Sequence, residues 1–189
     1  MSSSSAATSN DHKVSDNTSG FWCPEFSNCY EPAAAIVINS VTYRSTEHYY
    51  QSRKFRDTAS QEYICLYERP IEAKFAARAL YNTVQCNKTL QTGANIQLIP
   101  IAEWDARKEA IMFEATFAKY RQHKLLRQLL LMTGDQLIVE PNTHDEYWGC
   151  GKDGKSGLNR LGHVLMEVRR VLRKEEDKSK SSRCVNRNA

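Results

Sequence analysis

Glu47, Gln51 and Lys54 stand at spacing i, i+4, i+7 in the stretch Thr46-Glu47-His48-Tyr49-Tyr50-Gln51-Ser52-Arg53-Lys54-Phe55. On a helix that spacing stacks side chains along one stripe, so a carboxylate, an amide and an amine would meet over one small volume. A carboxylate there can pass protons, and an amine whose pKa is lowered by burial can act as a nucleophile. On a solvated face the same residues would be an ordinary Glu and Lys, with Glu47 merely favoured by the positive end of the helix dipole. The rest of the chain has to decide between these readings.

Four more carboxylates, Asp135, Glu140, Asp145 and Glu146, fall within twelve residues late in the chain. Trp148 follows, and the stretch from Gly149 to Gly162 holds five of the eight glycines. Glycines let a backbone approach a ligand closely, and the free N–H groups of a helix start attract anions, so a phosphate or diphosphate is physically natural there. A plain surface loop would have the same composition. Gly149-x-Gly151-x-x-Gly154 satisfies the dinucleotide fingerprint only as a string. It lacks the buried parallel strand before it and a helix opening at the third glycine. Gly151 to Ser156 resembles a Walker loop no better, since the G-x-x-x-x-G-K-[ST] order is absent.

The elements that must position these groups can be read in order. Four aromatics crowd Phe21-Trp22-Cys23-Pro24-Glu25-Phe26-Ser27-Asn28-Cys29-Tyr30, a loop suited to stacking on a planar base or to anchoring itself in the core. Ile36 to Tyr43 is β-branched on both sides of Asn39-Ser40, which predicts a short hairpin. Ser45 or Thr46 can cap the Glu47 helix. A second, shorter helix is expected over residues 57–68. Pro70 opens a third, whose Ile71, Phe75, Ala76, Ala79 and Leu80 read as core rather than site. Residues 82–100 read as a long surface connection.

A further helix begins at Trp104 and continues through Ile111, Met112, Ala115 and Lys119, and an apolar one spans His123–Met132 with Gly134 as its cap. Leu137-Ile138-Val139 suits a brief strand. The last helix, capped by Asn159, carries Leu161, Val164, Leu165, Val168 and Leu172. The expectation is a mainly α fold with a short β-hairpin and a minor strand: residues 1–20 a Ser-rich disordered leader, 21–173 one domain, 174–189 a charged flexible tail.

Composition narrows the class. A chain of 189 residues with 41% hydrophobic content supports one domain with a real core. Against 22 Asp+Glu, 26 Lys+Arg leave a net charge of only +4, so nucleic acid is permitted as a partner but not demanded. Six cysteines without C-x-x-C spacing argue against a zinc site and a disulfide framework. No membrane-length apolar run and no signal-peptide core are present. A soluble intracellular protein, cytoplasmic or nuclear, is expected.

Taken together, Phe26-Ser27-Asn28, Glu47-His48-Tyr49-Tyr50-Gln51 with Lys54-Phe55, Trp104 to Met112, Lys119-Tyr120, Thr133-Gly134-Asp135, and Asp145-x-x-Trp148-Gly149-x-Gly151 with Gly157-x-Asn159-x-Leu161-Gly162 resemble the NADAR family, the YbiA-like N-glycosidases. The likeness covers about residues 21–173, and the order and spacing of the motifs make it specific. It departs at Cys29, where the family usually has an aromatic, and Tyr30 supplies a ring one position later.

The resemblance implies a YbiA-like helical domain that hydrolyses a bond between ribose C1 and an exocyclic amine. Two substrate classes go with such proteins: ADP-ribose on the guanine amino group of DNA or RNA, and phosphoribosylamino-pyrimidine intermediates of riboflavin synthesis. The first is preferred, the glycine-rich helix start being expected to hold a diphosphate. Glu47, Lys54 and Asp145 are the expected catalytic set. Either Glu47 and Asp145 work as paired carboxylates on an oxocarbenium-like state, or Lys54 forms a Schiff base with the opened sugar. Phe26, Asn28, Tyr30, Gln51, Trp104, Arg107, Trp148, Gly149, Gly151 and Asn159 are expected to bind substrate, Arg107 as a phosphate fork. No metal, no cofactor, no membrane and no obligate protein partner are expected. A module that binds ADP-ribose without cleaving it is the alternative from another class.

Overall fold

The computed structural model describes residues 20–85 and 96–185. Asn39 and Ser40 have φ of 51° and 65°, the left-handed pair that a two-residue hairpin turn requires. They join β1 (Ile36–Ile38) to β2 (Val41–Tyr43) in antiparallel register, Ile36 opposite Tyr43. Six helices follow: α1 (Thr46–Ser52), α2 (Thr58–Cys65), α3 (Pro70–Gln85), α4 (Ile101–Gln122), α5 (Lys124–Met132) and α6 (Arg160–Val185). Residues 1–19 of the expected leader lie outside the described residues.

Each helix boundary has a local cause. Ser45 caps α1 by accepting from His48 N–H, and Asp57 caps α2 by accepting from Ser60 N–H at 2.7 Å. Pro70 opens α3, as its missing N–H allows at a first helical turn. After α5, Gly134 takes φ of 56°, a conformation a side chain would strain.

The long helices α4 and α6 pack against each other, and α4 also carries α1, α5 and β1. One core lies among them, built on Phe26, Ile36, Tyr120, Leu130, Leu165 and Leu172. A smaller one, Phe55, Ile64, Ala73, Ala76 and Ala77, fills the angle between α1, α2 and α3. Here α3 departs from its sequence reading. Ala73, Ala76 and Ala77 face inward, whereas Ile71, Phe75 and Ala79 are exposed. Alanine lets α3 approach α1 closely, leaving no room for the larger side chains on that face.

Three further expectations are adjusted. Residues 137–139 contribute one parallel bridge, Ile138 to Phe21, rather than a strand. Within the expected 82–100 connection, α3 extends to Gln85, and 96–99 pair with the chain after α1 through Arg56 N–H to Gln97 O at 2.7 Å and Ile99 N–H to Lys54 O at 2.9 Å. Residues 86–95 lie outside the described residues. Finally, α6 does not stop near 173. Its Lys- and Glu-rich continuation consists of good helix formers, and Arg127 of α5 ion-pairs with Glu175 and Glu176 at 3.6 and 3.2 Å. Among the described residues no helix is long and apolar enough to cross a membrane.

Candidate active site

Every residue of α1 is buried, which is exceptional for a run containing Thr, Glu, His, Gln and Ser. Each polar group therefore needs a partner. His48 Nε2 lies 3.1 Å from Tyr67 O and must donate to it, so Nδ1 accepts from the Ser45 hydroxyl at 2.8 Å. This is a neutral imidazole, and burial holds its pKa below the ordinary value. His48 is thereby committed to structure.

Glu47 is 3% exposed. Its Oε1 accepts from Gln51 Nε2 at 2.7 Å, its Oε2 from Asn28 Nδ2, and its backbone N–H donates to Asn28 O at 2.9 Å. Burial pushes the carboxyl pKa up. The Gln51 hydrogen bond and the charges of Lys74 and Lys54 pull it partly back, and the Asp145 charge raises it further.

Lys54 follows the end of α1 rather than lying within it. Arg53, Lys54 and Phe55 close the helix with hydrogen bonds to Gln51, Tyr49 and Ser52 carbonyls, and the bond from Ile99 N–H to Lys54 O pins the turn. The amine sits 5.5 Å from the Tyr50 ring centre and 5.6 Å from that of Trp104. Burial pulls its pKa down to about 8; the Glu47 charge opposes this and Lys74 adds to it. An ammonium is costly to bury, so a sizeable fraction of this amine is neutral near physiological pH.

Gln51, Lys54 and Trp104 line a cavity of about 330 Å³, closed on its other sides by Lys74, Ala77, Arg78 and Tyr81 of α3 and by Ile99 and Ile101. Gln51 Oε1 is buried and has no hydrogen-bond partner among the described residues. Glu47 lies one hydrogen bond behind Gln51.

The remaining sequence candidates divide. Asn28 is in the cluster through Glu47. Tyr30 packs at the core edge with its ring 5.1 Å from the buried Lys119 amine. Phe26 is 1% exposed and ringed edge-on by Phe21, Trp22 and Tyr120, so it anchors the core instead of stacking on a base. Arg107 pairs through Nη1 with Glu103 at 2.9 Å and does not line the cavity, so the structure does not bring it to Lys54. Trp148 meets Tyr50 edge-on at 5.5 Å, and Tyr50 meets Trp104 at 5.0 Å. That row of rings links the cavity to the Asp145 loop.

Asp145 itself lines a different, shallower concavity with Thr143, His144, Glu146, Tyr147 and Lys152. Its Oδ1 accepts from Tyr147 N–H at 3.0 Å and Trp148 N–H at 2.8 Å, which makes it the organiser of its own turn. The glycine-rich stretch also departs from expectation. Every backbone N–H from Gly154 to Leu161 is donated within the protein, to carbonyls of Gly151, Cys150, Glu146, Gly149, Tyr147 and Trp148 or to the Asp153 carboxylate. Those donors are not available to a diphosphate.

The glycines serve packing instead. A Cβ on Gly149 would lie 2.2 Å from Asn142 O, and one on Gly157 2.4 Å from Gly149 O, while Gly151 has φ of 75°. Asn159 is spent on the neighbouring segment, accepting from Glu140 N–H at 2.9 Å and donating to Ile138 O at 2.8 Å.

Three residues escaped the sequence reading, and a fourth, named there only among the late carboxylates, was given no role. Lys74, Arg78 and Tyr81 repeat the same i, i+4, i+7 spacing as Glu47, Gln51 and Lys54, a signal masked because α3 was read for its apolar residues alone. Glu140 is the fourth. Burial, reinforced by Asp145, raises its pKa to about 7.

Lys119 links the core to this site. It is 1% exposed and donates to Glu25 O at 2.7 Å and Ser27 O at 2.9 Å, fixing the loop from which Asn28 reaches Glu47. Lys119→Met fills similar volume without donors. It is expected to raise amide exchange of Glu47, whose N–H bonds Asn28 O, by about tenfold while α6 amides stay protected; an unchanged Glu47 amide would refute this coupling.

A family model described as the NADAR domain matches residues 10–173. The chain is 38% identical over 141 residues to N-glycosidase Npun_R5314 of Nostoc punctiforme, covering 73% of this chain and 80% of that one. It is 30% identical over 128 residues to the chloroplastic riboflavin biosynthesis protein PYRR of Zea mays, covering 68% of this chain and 19% of that protein. The NMR structure of the E. coli protein YbiA matches with a TM-score of 0.63 at 34% identity, covering 80% of this chain and 79% of YbiA.

Proposed function

The chain belongs to the NADAR family and is an N-glycosyl hydrolase, and we propose that it removes ADP-ribose from the guanine amino group of nucleic acid. The observation that carries the chemistry is Lys54: an amine brought down to about 8 on the wall of a cavity, with a buried carboxyl one residue pair behind it. An exocyclic amine is a poor leaving group from an intact ribose ring. Opening the ring gives a C1=N iminium and a sugar hydroxyl, the proton for that oxygen coming from Glu47. Neutral Lys54 then adds to C1. Its proton passes to the guanine nitrogen by way of Glu47, the C1–N bond to guanine breaks, and Lys54 is left as a Schiff base.

Water hydrolyses the Schiff base and the sugar recloses, so the net change is one water consumed with ADP-ribose and unmodified guanine released. Gln51 Oε1 supports this as an acceptor for a ribose hydroxyl, and Trp104 as a flat wall for a ring. The direct route through Asp145 has less support, because that carboxylate lines a different concavity from Lys54.

Incubating the protein with an oligonucleotide carrying ADP-ribosyl-guanine is expected to restore unmodified oligonucleotide and release intact ADP-ribose, followed by mass spectrometry. Unchanged oligonucleotide with measurable ADP-ribose affinity would instead identify a non-catalytic binding module. The likeness to a riboflavin biosynthesis protein favours one second reading, hydrolysis of a phosphoribosylamino-pyrimidine. The ratio of kcat/KM for the two substrates decides between them.

A further inference from the structure

We infer that Lys74 and Arg78 form a recognition pair for the 5-phosphate of the ribose whose C1 faces Lys54, so that the cavity reads a ribose 5-phosphate regardless of the amine attached at C1. The inference rests on the reading of Lys54 as the group at C1. The two cations stand one helical turn apart on the α3 wall of the cavity. Both are exposed, and neither has an ion-pair or hydrogen-bond partner among the described residues. Arg56, Arg107, Lys108, Arg127, Arg160, Arg170 and Arg173, by contrast, all have carboxylate partners.

Like charges at i, i+4 repel, which costs stability unless an anion lies between them. The rest of that wall is apolar or aromatic: Ala77, Tyr81, Ile99, Ile101 and Trp104. Among the described residues such a wall leaves the cations as the only charged features besides Lys54, with Arg78 presenting a planar fork to phosphate oxygens and Lys74 a point charge.

Three further observations agree. Lys74 acts electrostatically on both Glu47 and Lys54, so it stands near the reacting groups. Gln51, with its unpartnered buried Oε1, lines the same cavity and suits a sugar hydroxyl. The stretch that sequence composition nominates for phosphate, Gly154 to Leu161, has its backbone donors satisfied internally. A sugar carrying its phosphate at C5 fits a small cavity lined by the Lys54 amine and by two further cations.

The test uses the full chain and two probes, ribose 5-phosphate and ribose, titrated calorimetrically into wild type and Lys74→Gln/Arg78→Gln. Both substitutions are at exposed positions, and a thermal melt checks that the double variant folds. Wild type is expected to bind ribose 5-phosphate at least about tenfold more tightly than ribose, by the strength of charge-assisted phosphate contacts. The double variant is expected to lose that preference, with a shallower salt dependence. Equal affinity for the two sugars in wild type, no binding of either at millimolar concentration, or a preference undiminished in the variant would each overturn the proposal. A failure of guanine de-ADP-ribosylation with the phosphate preference intact would reject the substrate reading and leave the subsite standing.

Discussion

Lys54→Ala is expected to lower turnover by at least about three orders of magnitude, the scale on which loss of a covalent nucleophile acts, while ADP-ribose affinity changes little. The variant removes the amine but leaves Gln51, Trp104 and the α3 wall of the cavity in place. Borohydride added during turnover should trap a wild-type adduct heavier by the reduced sugar moiety and none in Lys54→Ala. Fully active wild type that cannot be trapped would remove the Schiff base and return the reaction to a direct displacement, with Glu140 joining Asp145 as a candidate carboxylate.

The pH dependence follows with a definite sign. The neutral amine attacks, and the Lys54 pKa lies near 8 instead of 10.5. The rate is therefore expected to climb as pH rises toward 8 and the amine loses its proton, and to fall again at higher pH as Glu47, the proton donor of the ring-opening step, is left ionised. An ordinary lysine would still be gaining activity two units higher. A flat pH–rate profile between 6 and 9 would show that Lys54 ionisation does not govern the rate.

What could be seen in the sequence divides along a physical line. Local signals held: Asn39-Ser40 made the hairpin turn, Pro70 opened α3, Gly134 ended α5, and the i, i+4, i+7 row of Glu47, Gln51 and Lys54 does come together, although the last lies just past the end of α1. Assignments that depended on how segments satisfy one another did not hold. The glycine-rich stretch has the composition of a phosphate cradle, yet its amides from Gly154 to Leu161 are taken by carbonyls from residues 146–151 and by Asp153, a three-dimensional fact no composition records.

Phe26 and Arg107 were chosen by residue type. Type alone cannot tell a ring packed on Tyr120 from one facing a ligand, or a guanidinium spent on Glu103 from a free one. The α3 wall was missed for the opposite reason. Its helix was judged by hydrophobic periodicity, and the polar face that closes the cavity becomes visible only when the alanine face is known to lie on α1.

Glu47→Gln is expected to cost about 100-fold or more in kcat, the usual effect of losing a general acid–base group, with little loss of thermal stability. The stability half of this claim depends on hydrogen-bond polarity. Glu47 now accepts from two amide donors, Asn28 Nδ2 and Gln51 Nε2, and a glutamine at 47 would turn one acceptor into a donor. If the new carbonyl oxygen faces Asn28, the new NH₂ meets Gln51, whose amide can rotate half a turn so that its currently unpartnered Oε1 accepts. All the pairs are then satisfied, and the desolvation that raises the Glu47 pKa is relieved.

The rotated Gln51 would place a donor where it now has an unpartnered acceptor on the residue that lines the cavity, so KM should also rise. Near-normal kcat with an unchanged melting temperature would reduce Glu47 to a clamp for Asn28 and Gln51. A collapse of the melting temperature in step with activity would mean that its carboxylate holds the fold and not the proton. Only retained stability with lost turnover fits a proton carrier buried beside the amine.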